Sequence, residues 1–400
     1  MANFDQSMMK FLIGRSRIKY AVLDELFRTI YIPQDKVVFH VDASAILYRL
    51  YRNKDLDMIY SVDQDIAIRD LVISFLNVLA HYRRYLVTRL HKTNDILVYF
   101  NHKEPGYQRI LFSNYRKEWY DGLKNQMNFG PLNHIIEEGF RFIQGLIPYF
   151  EGIYMVNGDG VDDFTAMYHT IHSKYYGNEK NWYHIIFSRN MLSTQMVDGH
   201  CCQLYNKRDD SYIIDLNTVY KNGILKGRKT AASDHMTAKF LPFIWTLGGC
   251  TDISLKKSKY MNGVADAVKS LNPIVDHRAL TDDMSIQAFI KALSNYIEPS
   301  AELRLVPTDL INRYRMLDLS LSAAAITEDQ KIKIWKNHFD LYDQTGLEEI
   351  NDHLSNMGEN ADLLEITNLN MSTCYDNKYN PFDEFNSGGF SDFYNLGFSI

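Results

Sequence analysis

The sequence has few of the features that mark membrane, secreted or zinc-binding proteins. Its four cysteines, of which Cys201 and Cys202 are adjacent, form no disulfide framework and suit a reducing cytosol. No run of 18 uncharged apolar residues occurs, so no transmembrane helix is predicted. The N-terminal segment lacks the charge order and cleavage site of a signal peptide. No zinc-ligand, Walker, dinucleotide-binding or nucleophile-elbow motif occurs either, which excludes the common signatures of those enzyme classes.

Charge and aromatic side chains are unevenly distributed. The chain has 27 Tyr, 22 Phe and a net charge of −6. Residues 340–400 contain 12 Asp and Glu and a single Lys, which leaves 42 basic and 37 acidic residues in the rest of the chain. A mildly basic body with an acidic tail is compatible with nucleic-acid binding, but a solvated surface with chance segregation of charge fits these numbers equally well.

Short apolar runs alternate with stretches of helical spacing. The runs, which are typical of buried strands, lie at 37–41, 95–100, 153–156 and 184–187, with a hairpin predicted near 201–214. The helical stretches are 1–36, 66–92, 131–149 and 161–174. This alternation predicts an α/β fold with a central, mainly parallel sheet flanked by helices, followed by a helical region. Such sheets place functional residues at the carboxyl ends of their strands.

Five short blocks carry the polar residues of interest. They are FHVDASAILYR (39–49), YFN with the later YQR and YRK (99–117), NGDGVDD (157–163), FSRNMLSTQM (187–196) and LGGCTDI (247–253). In this order and spacing they resemble the blocks of the PIN-like 5′-nuclease family, the 5′→3′ exonucleases and flap endonucleases encoded by bacteriophages. One block alone means little, because strands that end in Asp occur in many α/β proteins.

The resemblance implies the 5′-nuclease fold over residues 37–270 and hydrolysis of phosphodiester bonds. In such hydrolysis two divalent ions, about 3.5–4 Å apart, stabilise the attacking and leaving oxygens. Mg²⁺ prefers oxygen ligands, so the family needs a cluster of carboxylates drawn from several strand ends.

Only part of that carboxylate cluster is present. By the resemblance, the retained metal ligands are Asp42, Asp162, Asp163 and Asp252. The other family positions hold Asn101, Gly160, Asn190, Leu192 and Gly249. Too little negative charge is left to hold two Mg²⁺ ions, so we expect at most one weakly bound Mg²⁺ and an impaired catalyst. The alternative role for the retained aspartates is helix capping, because three of them lie where helices are predicted to begin.

The resemblance also implies basic residues that contact nucleic acid. They are Arg49, Arg84, Arg109, Arg116, Lys117, Lys256, Lys257 and Lys259. The last three open a segment, 256–268, that is similar to the family's helix–turn–helix DNA anchor in degenerate form. Met261 stands at a Gly position of that anchor, and Asp266, which would repel a phosphate, stands at a Thr position. The lysines could contact backbone phosphates, and a solvated helix end is the equally weighted alternative.

We therefore predict four parts of the chain. They are an N-terminal helical extension (1–36), a PIN-like 5′-nuclease α/β domain (37–235), a helical region that includes the degenerate DNA anchor (236–370) and an acidic aromatic tail (371–400). The tail combines Phe and Tyr with carboxylates, a composition that suits docking to a basic groove on a phage protein, or packing against its own domain.

Three functions remain open from the sequence. The first is a catalytically impaired, phage-type 5′→3′ exonuclease/flap endonuclease homologue that binds branched or single-stranded DNA. The second is a non-enzymatic structural or interaction subunit of a phage replication, transcription or virion assembly. The third is a residual one-metal nuclease. We expect the protein in the cytoplasm of the infected host cell, with virion association as the alternative, and no membrane partner.

Overall fold

A computed structural model gives the fold of most of the first 250 residues and of a second stretch near residue 320. The described residues are 24–34, 36–53, 55–100, 106–113, 115, 129–147, 150, 152–156, 160–173, 182–205, 211–215, 218–219, 241–250, 253, 255–257, 308–331 and 334. The predictions made for residues 1–23 and for the tail at 371–400 lie outside the described residues.

A six-stranded sheet forms the centre of the molecule. Its strands are β1 (Lys36–Asp42), β2 (Thr93–Tyr99), β3 (Ile153–Val156), β4 (Tyr183–Phe187), β5 (Cys201–Tyr205) and β6 (Ser211–Ile213). The order across the sheet is β3-β2-β1-β4-β5-β6, and all neighbouring pairs are parallel except the β5–β6 hairpin. The strand order reverses between β1 and β4, which creates a topological switch point at their carboxyl ends.

Helices connect the strands and cover both faces of the sheet. Between β1 and β2 lie α1 (Ala43–Asn53), α2 (Leu56–Val62) and α3 (Gln64–Leu90). Between β2 and β4 lie α4 (Gly106–Leu111), α5 (Phe129–Leu146) and α6 (Asp163–Ile171), and a 3₁₀ helix (Met191–Met196) precedes β5. The C-terminal part contains α7 (Leu241–Gly248), α8 (Thr308–Leu317) and α9 (Leu319–Ala324).

Two hydrophobic clusters, one on each face of the sheet, explain why its central strands are almost entirely apolar. In β1, Phe39 and Val41 pack in a cluster with α1, α2, α3 and α5. Val38 packs on the opposite face, in a cluster with α6, the 3₁₀ helix and α7 to α9. A parallel strand that is covered on both faces must present apolar side chains to both, and this requirement produces the apolar runs seen in the sequence.

Aspartates set the beginnings of three helices. Asp63 accepts a hydrogen bond from the backbone N–H of Ile66 at the start of α3. Asp162 accepts hydrogen bonds from two backbone N–H groups at the start of α6, and Asp318 accepts from two at the start of α9. A carboxylate at this position satisfies backbone donors that have no partner within the helix and complements the helix dipole.

The predicted α/β class with a mainly parallel sheet is confirmed, together with the four predicted strands and the hairpin. The sequence pattern did not predict α2 or the 3₁₀ helix, which have seven and six residues and are too short to show a clear period. Within the described ranges, no helix is long and apolar enough to span a bilayer.

Candidate functional site

The switch point between β1 and β4 is where an open α/β sheet concentrates its functional groups. β1 ends at Asp42, and β4 is followed directly by Ser188. Both side chains are buried, and the Ser188 hydroxyl donates a hydrogen bond of 2.9 Å to Asp42 Oδ2. The two strand ends that would flank a crevice are therefore joined to each other.

Asp42 is also engaged by the start of the following helix. Its Oδ1 accepts a hydrogen bond from the Ser44 hydroxyl and a second, of 3.3 Å, from the backbone N–H of Ala45. This is the capping role predicted as the alternative to metal binding. Because both carboxylate oxygens accept hydrogen bonds from protein donors, a metal ion would have to compete with these donors for the same oxygens.

Asp162 has a comparable set of partners at the start of α6. Its Oδ2 accepts from the backbone N–H groups of Phe164 and Thr165 at 3.1 and 3.4 Å. Its Oδ1 accepts from the hydroxyl of the fully buried Tyr115 at 3.1 Å. The capping alternative is thus confirmed for Asp162, and Tyr115 closes the side of the carboxylate that the cap leaves open.

Asp163 is buried at the first position of α6, directly after Asp162. Burial raises the pKa of the Tyr99 hydroxyl far above its ordinary value, the hydrogen bond with Thr170 lowers it, and the charge of Asp163 raises it further. Tyr99 is paired with Asp42 in the β1–β2 register. Of the four predicted ligands, Asp42 ends β1, Asp162 and Asp163 begin α6, and Asp252 is outside the described residues.

Tyr99 begins a chain of buried polar groups that crosses three strands. Its hydroxyl lies 2.9 Å from His40 Nδ1, and His40 Nε2 lies 3.0 Å from His184 Nδ1. All three side chains are less than 4% exposed. These groups satisfy one another inside the sheet, as buried polar groups must, and they add no carboxylate to its edge.

The two family carboxylate positions after β4 have structural roles in this chain. Asn190 caps the 3₁₀ helix, because its Oδ1 accepts a hydrogen bond of 2.9 Å from the backbone N–H of Leu192. Leu192 itself is fully buried in the hydrophobic cluster on that face of the sheet. A carboxylate at position 192 would lie in an apolar environment, where a charged group is strongly disfavoured unless it is paired.

An amide from the neighbouring strand completes this arrangement. Gln203 Nε2 donates to the backbone carbonyls of Ser188 and Asn190, each at 3.2 Å, and to the Ser193 hydroxyl at 2.8 Å. Gln203 Oε1 accepts from the Thr194 hydroxyl at 2.8 Å. The edge beyond β4 is therefore filled by a neutral, internally satisfied network of amides and hydroxyls.

A second glutamine connects this network to the C-terminal helices. Gln195 Nε2 donates to the backbone carbonyl of Leu317 at 2.8 Å, and Gln195 Oε1 accepts from the backbone N–H of Leu319 at 3.3 Å. These are the last residue of α8 and the first residue of α9. The segment that would supply metal ligands in the family thus holds two helices in place.

Gly249 stands at another family carboxylate position, and the structure leaves no room for a side chain there. Its φ of +84° lies in the region that favours glycine. A Cβ at this position would lie 2.6 Å from the Lys257 nitrogen and 2.8 Å from the Leu255 carbonyl oxygen. Backbone hydrogen bonds between Cys250 and Leu255 hold the returning chain in this position. A carboxylate could not be restored here without moving the backbone.

The described side chains do not supply the ligands that two divalent ions need. Among the residues that the structure describes, no group of three or more His, Cys, Asp or Glu side chains could hold a metal ion. Asp42 and Asp162 accept hydrogen bonds from protein donors, and Leu192 and Gly249 have no ligand atoms in their side chains. The described residues therefore do not fit the two-ion centre that the fold family implies, and Asn101, Asp159 and Asp252 lie outside them.

The predicted basic residues fall into two groups. Lys256 and Lys257 are exposed directly after the Cys250–Leu255 bridge, and the guanidinium Nη1 of Arg313 donates a hydrogen bond of 2.9 Å to the Lys256 carbonyl. Arg49 and Arg84 are half-buried. The remaining predicted side chains, which lie outside the described residues, are Arg109, Arg116, Lys117 and Lys259.

Arg84 follows a buried arginine in α3. Its neighbour Arg83 is fully buried and donates to Asn94 Oδ1 at 3.1 Å and to the Gly152 carbonyl at 2.8 Å. These partners are at the amino ends of β2 and β3, opposite the carboxyl edge of the sheet. The buried guanidinium joins two strands and a helix because its donors need acceptors inside the protein.

Comparison with solved structures identifies a similar fold. The chain resembles the 5′-exonuclease of bacteriophage T5 with bound zinc, at 12% identity over 76% of this chain and 99% of that chain, with a TM-score of 0.50. A complex of a T5 flap endonuclease variant with DNA and metal ions has 11% identity, covers 82% and 98%, and has a TM-score of 0.47. No protein-family model and no curated protein sequence matches the chain. The shared feature is thus the fold.

Sequence reasoning did not identify three residues that shape this site. Ser188 and Tyr115 are the donors to the two aspartates, and Arg313 supports the exposed lysines. Ser188 lies within a block that the resemblance had singled out, so its position after a strand was a usable signal. Arg313 is 57 residues from its partner, and no local pattern connects the two.

Proposed function

We propose that this protein is a 5′-nuclease-fold homologue that binds nucleic acid and has lost efficient cleavage. The observation that carries the proposal is the neutral network beyond β4, in which Asn190 caps a helix and Leu192 is buried where the family has carboxylates. The fold was retained, whereas the edge that would coordinate ions became part of the hydrophobic core and its hydrogen bonds.

The loss of cleavage follows from electrostatics. Two divalent ions that share one site need several negatively charged oxygen ligands to offset the cost of removing their water. Asp42 and Asp162 are engaged by donors of the protein, and Gly249 excludes a side chain. A residual nuclease with one weakly bound Mg²⁺ is the alternative that a cleavage assay addresses, although Asp42, Asp162 and Asp163 do not form a three-ligand group in the structure.

Nucleic-acid binding is supported by a pair of exposed lysines whose backbone is held in place by neighbouring residues. The backbone at Lys256 and Lys257 is constrained by the Cys250–Leu255 bridge, by contact with Gly249 and by the Arg313 hydrogen bond. Lysines on a constrained backbone lose less entropy when they meet a phosphate than lysines on a mobile loop do. Branched or single-stranded DNA is the ligand that we assign to this surface.

The test measures binding and cleavage on the same substrates. A fluorescent 5′-flap DNA and a single-stranded DNA are titrated with the protein at several salt concentrations, and cleavage is followed with Mg²⁺ and with Mn²⁺. We expect salt-dependent binding without cleavage. Lys256→Ala/Lys257→Ala should weaken binding roughly tenfold at low salt and reduce the slope of log K against log salt by about 2.

A matched variant distinguishes a specific effect of the lysine pair on binding from a general effect of losing two positive charges. Arg28→Ala/Arg52→Ala removes the same charge from two exposed arginines and should leave binding close to that of the unmodified protein. Equal losses in both variants would contradict a specific role for the lysines. Metal-dependent cleavage that Asp162→Ala abolishes would establish the residual nuclease instead. Absence of binding at low salt would favour the interaction-subunit alternative, including docking through residues 371–400.

A further inference from the structure

The outer side of α2 presents apolar side chains to solvent. Met58 is 71% exposed and Val62 is 88% exposed, and their spacing of four residues places them on the same side of the helix. Leu56, in the same helix, is fully buried against α3 and its neighbours. Ile66, in the first turn of α3, adds a third exposed apolar side chain at 37%. Helix α2 therefore has one face in the core and an apolar face that none of the described segments covers.

The segment that carries this apolar face is acidic. Every charged residue between positions 55 and 66 is an aspartate: Asp55, Asp57, Asp63 and Asp65. Asp57 accepts a hydrogen bond from the Tyr51 hydroxyl, and Asp63 caps α3. In the part of the chain that the structure describes, neither Asp55 nor Asp65 forms an ion pair with a basic side chain.

The carboxylate of Asp55 is not used to cap α2. Asp55 precedes α2 with φ 48° and ψ 44°, a left-handed conformation that aspartate tolerates better than most residues, and its side chain makes no capping hydrogen bond to the helix. The exposed carboxylate therefore remains at the surface beside α2.

This surface is separate from the one proposed for nucleic acid. Helix α2 packs in the hydrophobic cluster on one face of the sheet, whereas Cys250 and Leu255, next to the lysine pair, pack in the cluster on the other. Four aspartates would repel a phosphate backbone. The apolar, acidic surface is complementary to a protein segment that carries both apolar and basic side chains.

We propose that the outer face of α2 docks a basic amphipathic helix of a partner protein. Apolar residues of that helix would cover Met58 and Val62, and its Lys or Arg side chains would pair with Asp55 and Asp65. Helices that lay an apolar face on a complementary surface are a recurrent mode of recognition, and methionine adapts well to different partners. This interaction does not depend on nucleic-acid binding or on cleavage.

The test uses designed peptides, since the chemistry of the partner is specified. A fluorescent helical peptide with Leu at the apolar positions and Lys at the others is titrated with the full chain, and a peptide with Glu in place of Lys serves as its counterpart. We expect the Leu/Lys peptide to bind at least tenfold more tightly than the Leu/Glu peptide. Met58→Ser/Val62→Ser and Asp55→Asn/Asp65→Asn should each weaken that binding at least fivefold.

Two control variants test whether the effect belongs to this surface. Ile110→Ser changes a side chain that is 85% exposed on α4, and Asp329→Asn removes an exposed carboxylate near α9. Both should bind the Leu/Lys peptide as the unmodified chain does. Equal binding by the α2 variants and the controls overturns the proposal. It is also overturned if Met58→Ser/Val62→Ser weakens flap-DNA binding instead, or if it abolishes a self-association seen by sedimentation.

Discussion

Each described carboxylate at the carboxyl edge of the sheet is engaged by particular neighbours. Asp42 is bound by two hydroxyls and a backbone N–H, and Asp162 by a tyrosine and two backbone N–H groups. Charge-assisted hydrogen bonds of this kind are stronger than neutral ones, so these aspartates contribute to stability whether or not they bind an ion. At Gly249 the decisive property is the absence of a side chain.

A substitution at Gly249 tests that property. Gly249→Ala combines strain at a φ of +84° with contacts of 2.6–2.9 Å to backbone atoms of Leu255, Lys256 and Lys257. We expect it to lower the free energy of unfolding by roughly 3 kcal/mol, about 1–2 of which comes from the left-handed backbone. Urea unfolding followed by circular dichroism measures the change.

Gly160→Ala is the matched control for Gly249→Ala. Gly160 has a similar φ of +73°, but a Cβ there would have no atom within 4 Å. Its substitution should cost only the backbone strain, roughly 1–2 kcal/mol. If the two variants were equally destabilised, close approach of the returning chain at Gly249 would not explain the glycine.

At the scale of elements, short segments rather than long helices determine the site. The 3₁₀ helix after β4 is held by Gln203 on one side and is connected through Gln195 to α8 and α9 on the other. Helix α6 is placed between the sheet and α9, with Asp162 at its start. The catalytic edge expected from the family is thus the junction where the C-terminal helices meet the sheet.

His169 on α6 gives this junction a predictable response to acid. Burial lowers the pKa of His169 below its ordinary value, the charge of Lys331 lowers it further, and Glu328 opposes both. The folded state therefore favours the neutral ring. The resulting stabilisation is present above the unfolded pKa of about 6.5 and is lost as the pH falls through the lower, folded pKa.

We therefore expect the free energy of unfolding to fall as the pH is lowered below about 6.5, and His169→Gln should reduce that fall. The reduction in slope should be less than about 1.4 kcal/mol per pH unit, the limit for one proton. Urea unfolding at several pH values measures it. A slope in His169→Gln equal to that of the unmodified protein would exclude His169 as its source.

At the scale of the whole molecule, the sheet separates two unlike sides. One side carries α2 with its exposed apolar residues and aspartates, and the other carries the constrained Lys256–Lys257 pair and the C-terminal helices. Two adjacent residues of β5 lie on opposite sides of the sheet, because Cys201 packs in one hydrophobic cluster and Cys202 packs in the other.

The two thiols should become reactive only when the whole fold opens. Burial raises the pKa of the Cys202 thiol to about 12 and holds that of Cys201 well above its ordinary value. Since the thiolate is the reactive form, both should resist alkylation at pH 8 in the native state. Mass spectrometry of a Cys374→Ser variant over a urea series should show both labelled in one transition. Earlier labelling of one of them would mean that the two faces unfold separately.

The strands were predictable because each is covered on both faces and must be apolar along its length. Runs such as VVFHV (37–41) and HIIF (184–187) therefore identify strands without any knowledge of their partners. The aspartates at helix starts were predictable as caps for a similarly local reason. The roles of Ser188 and Tyr115 were not predictable, because their hydrogen-bond partners are 146 and 47 residues away in the sequence.

The sequence by itself determined the α/β class, the strand positions and the absence of carboxylates at positions 190, 192 and 249, because these depend on residue type and local periodicity. Only the tertiary structure decided what occupies the carboxyl edge of the sheet. Gln203 satisfies the segment after β4, Leu192 packs in the core, and the chain at Lys257 passes within contact distance of Gly249. Such contacts depend on segments that meet only after the sheet has formed, so no local pattern encodes them.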